Sequence, residues 1–222
     1  MGIFDNVSSI VINNKEVQSI ISSDGGVIYQ KQNSKIETII TATPLTVDVI
    51  DNIITISLKD IDNNPLPNKT LTIVLENNTY VRTTDINGEL LLSMPTTYGT
   101  YYVDILFEGD SIYEQYSYNA NVKVNRRSTN LVVPTGTPSI PMSNVVITYT
   151  LKDNVDGTPI PNVPITVSFN GRTYSLTTDV NGEATLTTST SARKTYTLVV
   201  SFGGNDIYAS TMATHKIKTV SG

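Results

Sequence analysis

Thr83-Thr84-Asp85-Ile86-Asn87-Gly88-Glu89 and Thr177-Thr178-Asp179-Val180-Asn181-Gly182-Glu183 are one pattern written twice in a chain of 222 residues. Asp and Asn bond nearby backbone and Gly supplies a positive φ, so each copy reads as a tight turn between extended segments. Upstream, Leu58-Lys59-Asp60 and Pro65-Leu66-Pro67-Asn68 recur as Leu151-Lys152-Asp153 and Pro159-Ile160-Pro161-Asn162. Downstream, Phe107-Glu108-Gly109-Asp110-Ser111-Ile112-Tyr113 recurs as Phe202-Gly203-Gly204-Asn205-Asp206-Ile207-Tyr208. The offset drifts only from 93 to 95, so the unit is a small domain, too long for a solenoid repeat. The expected boundaries are 36–125 for the first copy and 126–222 for the second.

Within each copy the apolar residues alternate, the period of a half-buried strand. Ile54, Ile56 and Leu58 match Ile147, Tyr149 and Leu151; Leu71, Ile73 and Leu75 match Ile165, Val167 and Phe169. Tyr101, Val103, Ile105 and Phe107 match Tyr196, Leu198, Val200 and Phe202. These inward positions supply two facing layers of a core. Asn170-Gly171 is a two-residue hairpin signal, and each Pro-x-Pro-Asn segment is expected to stop the preceding strand and hold a loop open. With about seven strands per copy and no helical run, the fold class is all-β: two tandem antiparallel sandwiches.

The Pro-x-Pro-Asn, Thr-Thr-Asp-x-Asn-Gly-Glu and Phe-x-Gly-(Asp/Asn)-x-x-Tyr motifs together resemble prokaryotic immunoglobulin-like (Ig-like) repeats. Such repeats occur in invasin-like and adhesin-like surface proteins and in tailed-virus structural proteins. The resemblance spans about 185 residues and implies an Ig-like fold; spacers, display modules and adhesive tips all share that fold. Residues 1–35 form a separate expectation. Ser9-Ile10-Val11-Ile12 with Val17 is echoed by Ser19-Ile20-Ile21 with Val27-Ile28-Tyr29, and Asn13-Asn14 and Asp24-Gly25-Gly26 sit at turn positions. The segment reads as a β-hairpin module of three or four short strands and resembles hairpin modules of tailed-phage virion proteins. Two hairpins alone are marginal in water, so it is expected to pack on the first sandwich or another chain.

Composition narrows the chemistry. The chain has no cysteine, which removes disulfides, thiolate catalysis and iron–sulfur clusters. Apolar residues are 39% of the chain, in keeping with thin sandwich cores. No apolar run approaches the ~20 residues that span a bilayer. Met1-Gly2-Ile3-Phe4-Asp5-Asn6 lacks the basic and apolar regions of a signal peptide. Net charge is −5, divided as −8 over residues 1–125 and +3 over 126–222, and overall acidity argues against nucleic-acid binding.

No catalytic, cofactor or metal site is expected. His215 is the only histidine and reads as a surface strand residue with no nucleophile elbow nearby; Ala120 occupies the matching position in the first copy. Asp85, Asn87 and Glu89, the matching Asp179, Asn181 and Glu183, and Asp60, Asp62 and Asn63 offer oxygens, but turn geometry explains them without a cation. Tyr113 and Tyr208 are expected to pack at a sandwich edge, while Tyr113, Tyr116 and Tyr118 are a candidate aromatic patch. Arg126, Arg127, Lys152, Arg172, Arg193 and Lys194 read as scattered solvated charges, with an anionic-glycan surface as the functional alternative. Lys59 and Lys152 are the candidates for an isopeptide staple, yet each ends a strand facing water. Asn6, Asn68 and Asn77 meet the N-glycosylation pattern.

The resemblance and the missing leader imply a non-catalytic virion structural protein of a tailed prokaryotic virus, in its tail or decorating its head. The first module would bind other virion proteins in a homo-oligomeric assembly. The Ig-like domains would meet a host-surface glycan or protein, without membrane insertion. The alternative is a fragment of a cellular adhesin-like or surface-layer protein, with the repeats as a stalk at the cell surface.

Overall fold

The structure, a computed structural model, describes residues 34–221 throughout and, before them, the backbone of three strands. These are β1 (Val7–Asn13), β2 (Glu16–Ser22) and β3 (Val27–Gln30), paired antiparallel in the order β1-β2-β3. The expected turn at Asp24-Gly25-Gly26, most of the one at Asn13-Asn14, and the Asn6 glycosylation site lie outside the described residues.

The first repeat begins with β4 (Thr38–Thr43), β5 (Thr46–Asp48), β6 (Ile53–Asp60) and β7 (Thr70–Leu75). It continues with β8 (Asn78–Thr83), β9 (Glu89–Ser93), β10 (Gly99–Phe107) and β11 (Tyr116–Asn125). Sheet β4-β6-β9 faces sheet β5-β11-β10-β7-β8. The second repeat reproduces the order with β12 (Thr129–Val132), β13 (Ser139–Pro141), β14 (Val145–Asp153) and β15 (Pro164–Phe169). Then come β16 (Arg172–Thr177), β17 (Glu183–Thr188), β18 (Thr195–Phe202) and β19 (Thr211–Val220). Sheet β12-β14-β17 faces sheet β13-β19-β18-β15-β16. Among the described residues there is no helix, hence none long and apolar enough to cross a membrane.

Each repeat has eight strands rather than seven because its first strand is divided between the sheets. β4 pairs antiparallel with β6, then the chain crosses so that β5 runs parallel to β11; β12 and β13 do the same against β14 and β19. Proline marks the crossing. Pro44, and Pro134 with Pro138, have no N–H to continue the first ladder.

Alternation fills two separate cores. In the first, Ile54, Ile56, Leu58, Leu71, Ile73, Val103 and Ile105 are all but inaccessible; in the second, Tyr149, Leu151, Ile165, Val167, Leu198 and Val200 are. Burying each such aliphatic side chain stabilises by about 1.5–3 kcal/mol. Tyr101 departs from the expected pattern by being only partly buried, its hydroxyl donating to the Thr97 carbonyl at 2.8 Å.

The turns that define the repeat are built alike. Asp85 Oδ1 accepts the Asn87 and Glu89 amides at 2.8 and 2.9 Å, and Asp179 does the same for Asn181 and Glu183. Gly88 and Gly182 follow with φ of 72° and 70°. A Cβ on either would lie 2.6 or 2.5 Å from the carbonyl of Leu58 or Leu151, so only glycine fits. Asn170 and Gly171, with φ of 52° and 73°, join β15 to β16 as a two-residue hairpin. The Pro-x-Pro-Asn segments, in contrast, are not held open. Lys59 bridges Pro65 and the Leu66 amide returns to the Leu58 carbonyl at 3.0 Å; Lys152, Pro159, Ile160 and Leu151 repeat the arrangement. The residue between the prolines, Leu66 or Ile160, then plugs the core, and buried Thr84 or Thr178 hydrogen-bonds its carbonyl.

Candidate functional site

Only residues 126–128 separate β11 from β12, and their backbone is already committed. The Arg127 amide donates to the Ile207 carbonyl and the Arg127 carbonyl accepts from Ala209, both at 2.8 Å; the Ser128 carbonyl accepts from Asn154 at 3.0 Å. Ile36 docks in the same way at the start of the first repeat, between Ile112 and Glu114. Where the first repeat has isoleucine, the second has arginine.

That arginine is the centre of the joint. Arg127 is 5% exposed, and its Nε lies 2.8 Å from Oδ2 of Asp153, itself 2% exposed. Nη2 lies 3.0 Å from Asp156 Oδ2. Nη1 reaches across to Asp51 of the first repeat at 3.5 Å. Burial works against the charge, but Asp153, Asp156, Asp48 and Asp51 outweigh it and raise the guanidinium pKa above its ordinary value. Beside it, the Arg126 guanidinium stacks 3.7 Å from the centre of the Tyr98 ring, again joining second repeat to first. Pro44, Asp48, Asp51, Ile53 and Val155 line the crevice around these two arginines. Asp153, Asp156 and Asp51 are all turned onto the guanidinium. The chemistry of the arrangement is that of a clamp, four carboxylates about one permanent cation.

No protein-family model matches the chain, and no curated protein matches it. Among solved structures, the chain is similar to invasin, a bacterial integrin-binding protein, at 18% identity and a TM-score of 0.42, covering 83% of this chain. It spans 39% of that invasin chain. It is similar at 15% identity and TM-score 0.35 to a 1.5-MDa bacterial ice-binding adhesin, covering 91% of this chain and 72% of that one. Domains 4 and 5 of the S-layer protein SbsC are similar at 16% identity and TM-score 0.29, covering 91% and 89%. Likeness at this level carries no functional argument, so the site must be judged on its own residues.

The other residues singled out from sequence are dispersed. His215 is not on the surface: it is 6% exposed, because on β19 it shares the inward phase of Ile217. Its Nε2 lies 3.0 Å from the Tyr149 hydroxyl and the rings meet edge to face, while its Nδ1 is buried with no hydrogen-bond partner. Asp60 is buried and bonded to the Asn64 amide and side chain; Lys59 Nζ donates to Asn63 Oδ1. Among the described residues, no three His, Asp or Glu side chains converge as a metal site.

Tyr113 and Tyr118 are partly buried against the first core, Tyr208 is partly buried against the second, and Tyr116 is 36% exposed. Tyr113, Tyr116 and Tyr118 therefore do not form a shared exposed patch. Lys69 lies over the Tyr113 ring and pairs with Asp110, whose pKa falls to about 2 because that ammonium and the Ile112 and Tyr113 amides bind its carboxylate. Lys152 is half-buried, and Arg172, Arg193 and Lys194 are exposed. Arg127, grouped with these as a solvated charge, is instead a buried anchor. Asn68 has a φ of 55°, and Asn77 is exposed in the turn between β7 and β8.

Sequence reasoning missed the clamp, although two signals were present. The Arg126-Arg127 doublet falls where the charge balance reverses, and Asp153 shares the inward phase of Tyr149 and Leu151. An inward-facing aspartate in a thin core demands a cation.

Proposed function

We propose that the chain is a non-catalytic structural module of a surface protein, with two Ig-like domains (36–125 and 126–222) coupled as a stiff stalk. The joint carries this reading. In each sandwich the chain comes in beside the start of the last strand, at Ile36–Tyr113 or Arg127–Tyr208. It leaves at the far end of that strand, β11 or β19, each of 10 residues. At ~3.3 Å per residue that is about 33 Å away, the geometry that stringing domains end to end requires. A link of residues 126–128 with bonded backbone and a buried guanidinium clamp then limits bending. A stalk of this kind spaces or presents a binding surface, and weak contacts with host-surface protein or glycan gain from multivalency.

Small-angle scattering from the full chain tests this. The expected profile is a two-lobed rod that broadens toward a flexible pair in Arg127→Ala. A wild-type profile already that of a flexible pair would refute the stalk. A screen of glycosidase and esterase substrates is expected to show no turnover sensitive to His215→Ala.

A second reading, a virion structural protein of a tailed prokaryotic virus, is favoured by one observation: β1, β2 and β3 form a sheet of their own. Residues 1–35 would then be the attachment module, binding other virion proteins in a homo-oligomeric assembly. Deleting residues 1–34 is expected to leave both sandwiches folded and to abolish incorporation into particles. Incorporation of the truncated chain would rule this reading out.

A further inference from the structure

The two sandwiches are built on one plan, but at one paired inward position they differ in polarity. The first has Ile56 on β6 and Ala120 on β11; the second has Tyr149 on β14 and His215 on β19. An apolar pair is thus replaced by a polar, titratable pair in the same place. Tyr149 is fully buried and its hydroxyl meets His215 Nε2 at 3.0 Å, while His215 Nδ1 has no hydrogen-bond partner.

We propose that the Tyr149–His215 pair is an acid-sensitive latch: protonating His215 loosens the second sandwich along β14 and β19 while the first sandwich stays folded. In the neutral imidazole Nε2 meets the Tyr149 hydroxyl, and the buried Nδ1 costs only one unpaired neutral polar atom. An imidazolium would carry two donors and a full charge into a site whose one side-chain acceptor is the Tyr149 hydroxyl, with only a minor pull from the Lys216 backbone, and burying an unpaired charge is expensive.

The surroundings supply no counter-charge. β12 (Thr129–Val132) and β13 (Ser139–Pro141) hold no titratable residue, β18 (Thr195–Phe202) holds only Tyr196, and on β17 (Glu183–Thr188) Glu183 is exposed and alternates away from the core. On β14, Lys152 alternates out of the core and Asp153 is already paired with Arg127, four residues or about 13 Å along the strand from Tyr149. On β19 itself, Lys216 and Lys218 face outward and add positive charge. Burial accordingly lowers the His215 pKa below 6.5, against a smaller opposing pull from the Lys216 backbone.

The sign follows from linkage. With its folded pKa depressed, His215 adds stability fully present above pH ~6.5; that stability is lost as pH falls from there toward the folded pKa. Within that window the unfolding constant of the second sandwich rises by up to about tenfold per pH unit.

Because His215 is the only histidine, one imidazole resonance reports its titration in the full chain without assignment. The expected midpoint lies below 6.5; a midpoint at or above 6.5 with the fold intact would overturn the proposal. Hydrogen exchange of the full chain between pH 8 and pH 5, corrected for intrinsic rates, gives the second readout. Protection of β14 and β19 should fall by up to tenfold per unit below pH ~6.5, while β6 and β11 hold theirs. Equal loss in both sandwiches, or none in the second, would contradict it. His215→Gln, which keeps a donor for the Tyr149 hydroxyl but does not titrate, should remove the dependence. If that variant does not fold, Tyr149→Ile with His215→Ala, which installs the first sandwich's own pair, should remove it instead; persistence in the variant that folds sinks the idea.

Discussion

Replacing Arg127 with methionine should damage the second sandwich more than its place at a linker suggests. The change leaves Asp153, 2% exposed, with one remaining hydrogen bond, from the Val155 amide at 2.7 Å. Stranding one member of a buried ion pair costs about 3–5 kcal/mol. The contacts to Asp156 and Asp51, whose side chains are 44% and 73% exposed, add at most about 1 kcal/mol each. Against a total domain stability of about 5–15 kcal/mol, roughly a fifth or more is lost. For a domain of this size that is a fall in melting temperature of at least about 12 °C. The chain has no tryptophan, so urea unfolding is best followed by far-UV circular dichroism, with hydrogen exchange assigning the transition to one sandwich. Adding Asp153→Leu should recover most of the loss, because an apolar pair of similar volume often matches a buried ion pair. A single-variant cost below about 1 kcal/mol, or a double variant no better than the single, would refute the view that Arg127 exists to neutralise Asp153.

Other positions give independent checks. Gly182→Ala forces a Cβ to 2.5 Å from the Leu151 carbonyl at a φ of 70°; a loss of about 2–4 kcal/mol is expected in urea unfolding. Thr178→Val removes the acceptor of the Val163 amide and the donor to the Ile160 carbonyl; it should cost about 1–3 kcal/mol, with faster exchange at Val163. Lys69→Met removes the ammonium that does most to hold the Asp110 pKa at about 2. By carboxyl NMR that pKa should rise but stay below the usual ~3.9, since two backbone amides still bind the group. Being depressed, the Asp110 pKa adds stability above pH ~4 that is lost as pH falls toward 2, and the Lys69 variant should show less of that acid loss.

Much of this fold was legible in the sequence because the repeat fixes both period and punctuation. Strand alternation placed Ile54, Ile56 and Leu58 inward, and the Asp-x-Asn-Gly turns are determined within a few residues, so local chemistry suffices for both. The divided first strand was not legible, since pairing β5 with β11 joins residues more than seventy apart. Leu66 and Ile160 were overlooked because flanking prolines suggest a loop, whereas here they bend the chain back over the core.

His215 was misread by weighing its neighbours in sequence rather than its phase on the strand. Tyr149 was correctly placed in the core, but its partner lies on the opposite sheet. Arg127 was hidden for a related reason: its partners Asp51 in the first repeat and Asp153 with Asp156 in the second belong to two segments that only the fold brings to it.

The most direct measurement of the account is the distance between the two sandwiches. Ile86 and Val180, 83% and 78% exposed, occupy matching turn tips, and the chain has no native cysteine to interfere with labelling. Spin labels at Ile86→Cys and Val180→Cys report the separation of the two sandwiches directly. A stiff joint predicts one narrow distance distribution in the wild-type background that broadens in Arg127→Ala. A broad wild-type distribution, unchanged by removing Arg127, would contradict the clamp and the stalk built on it.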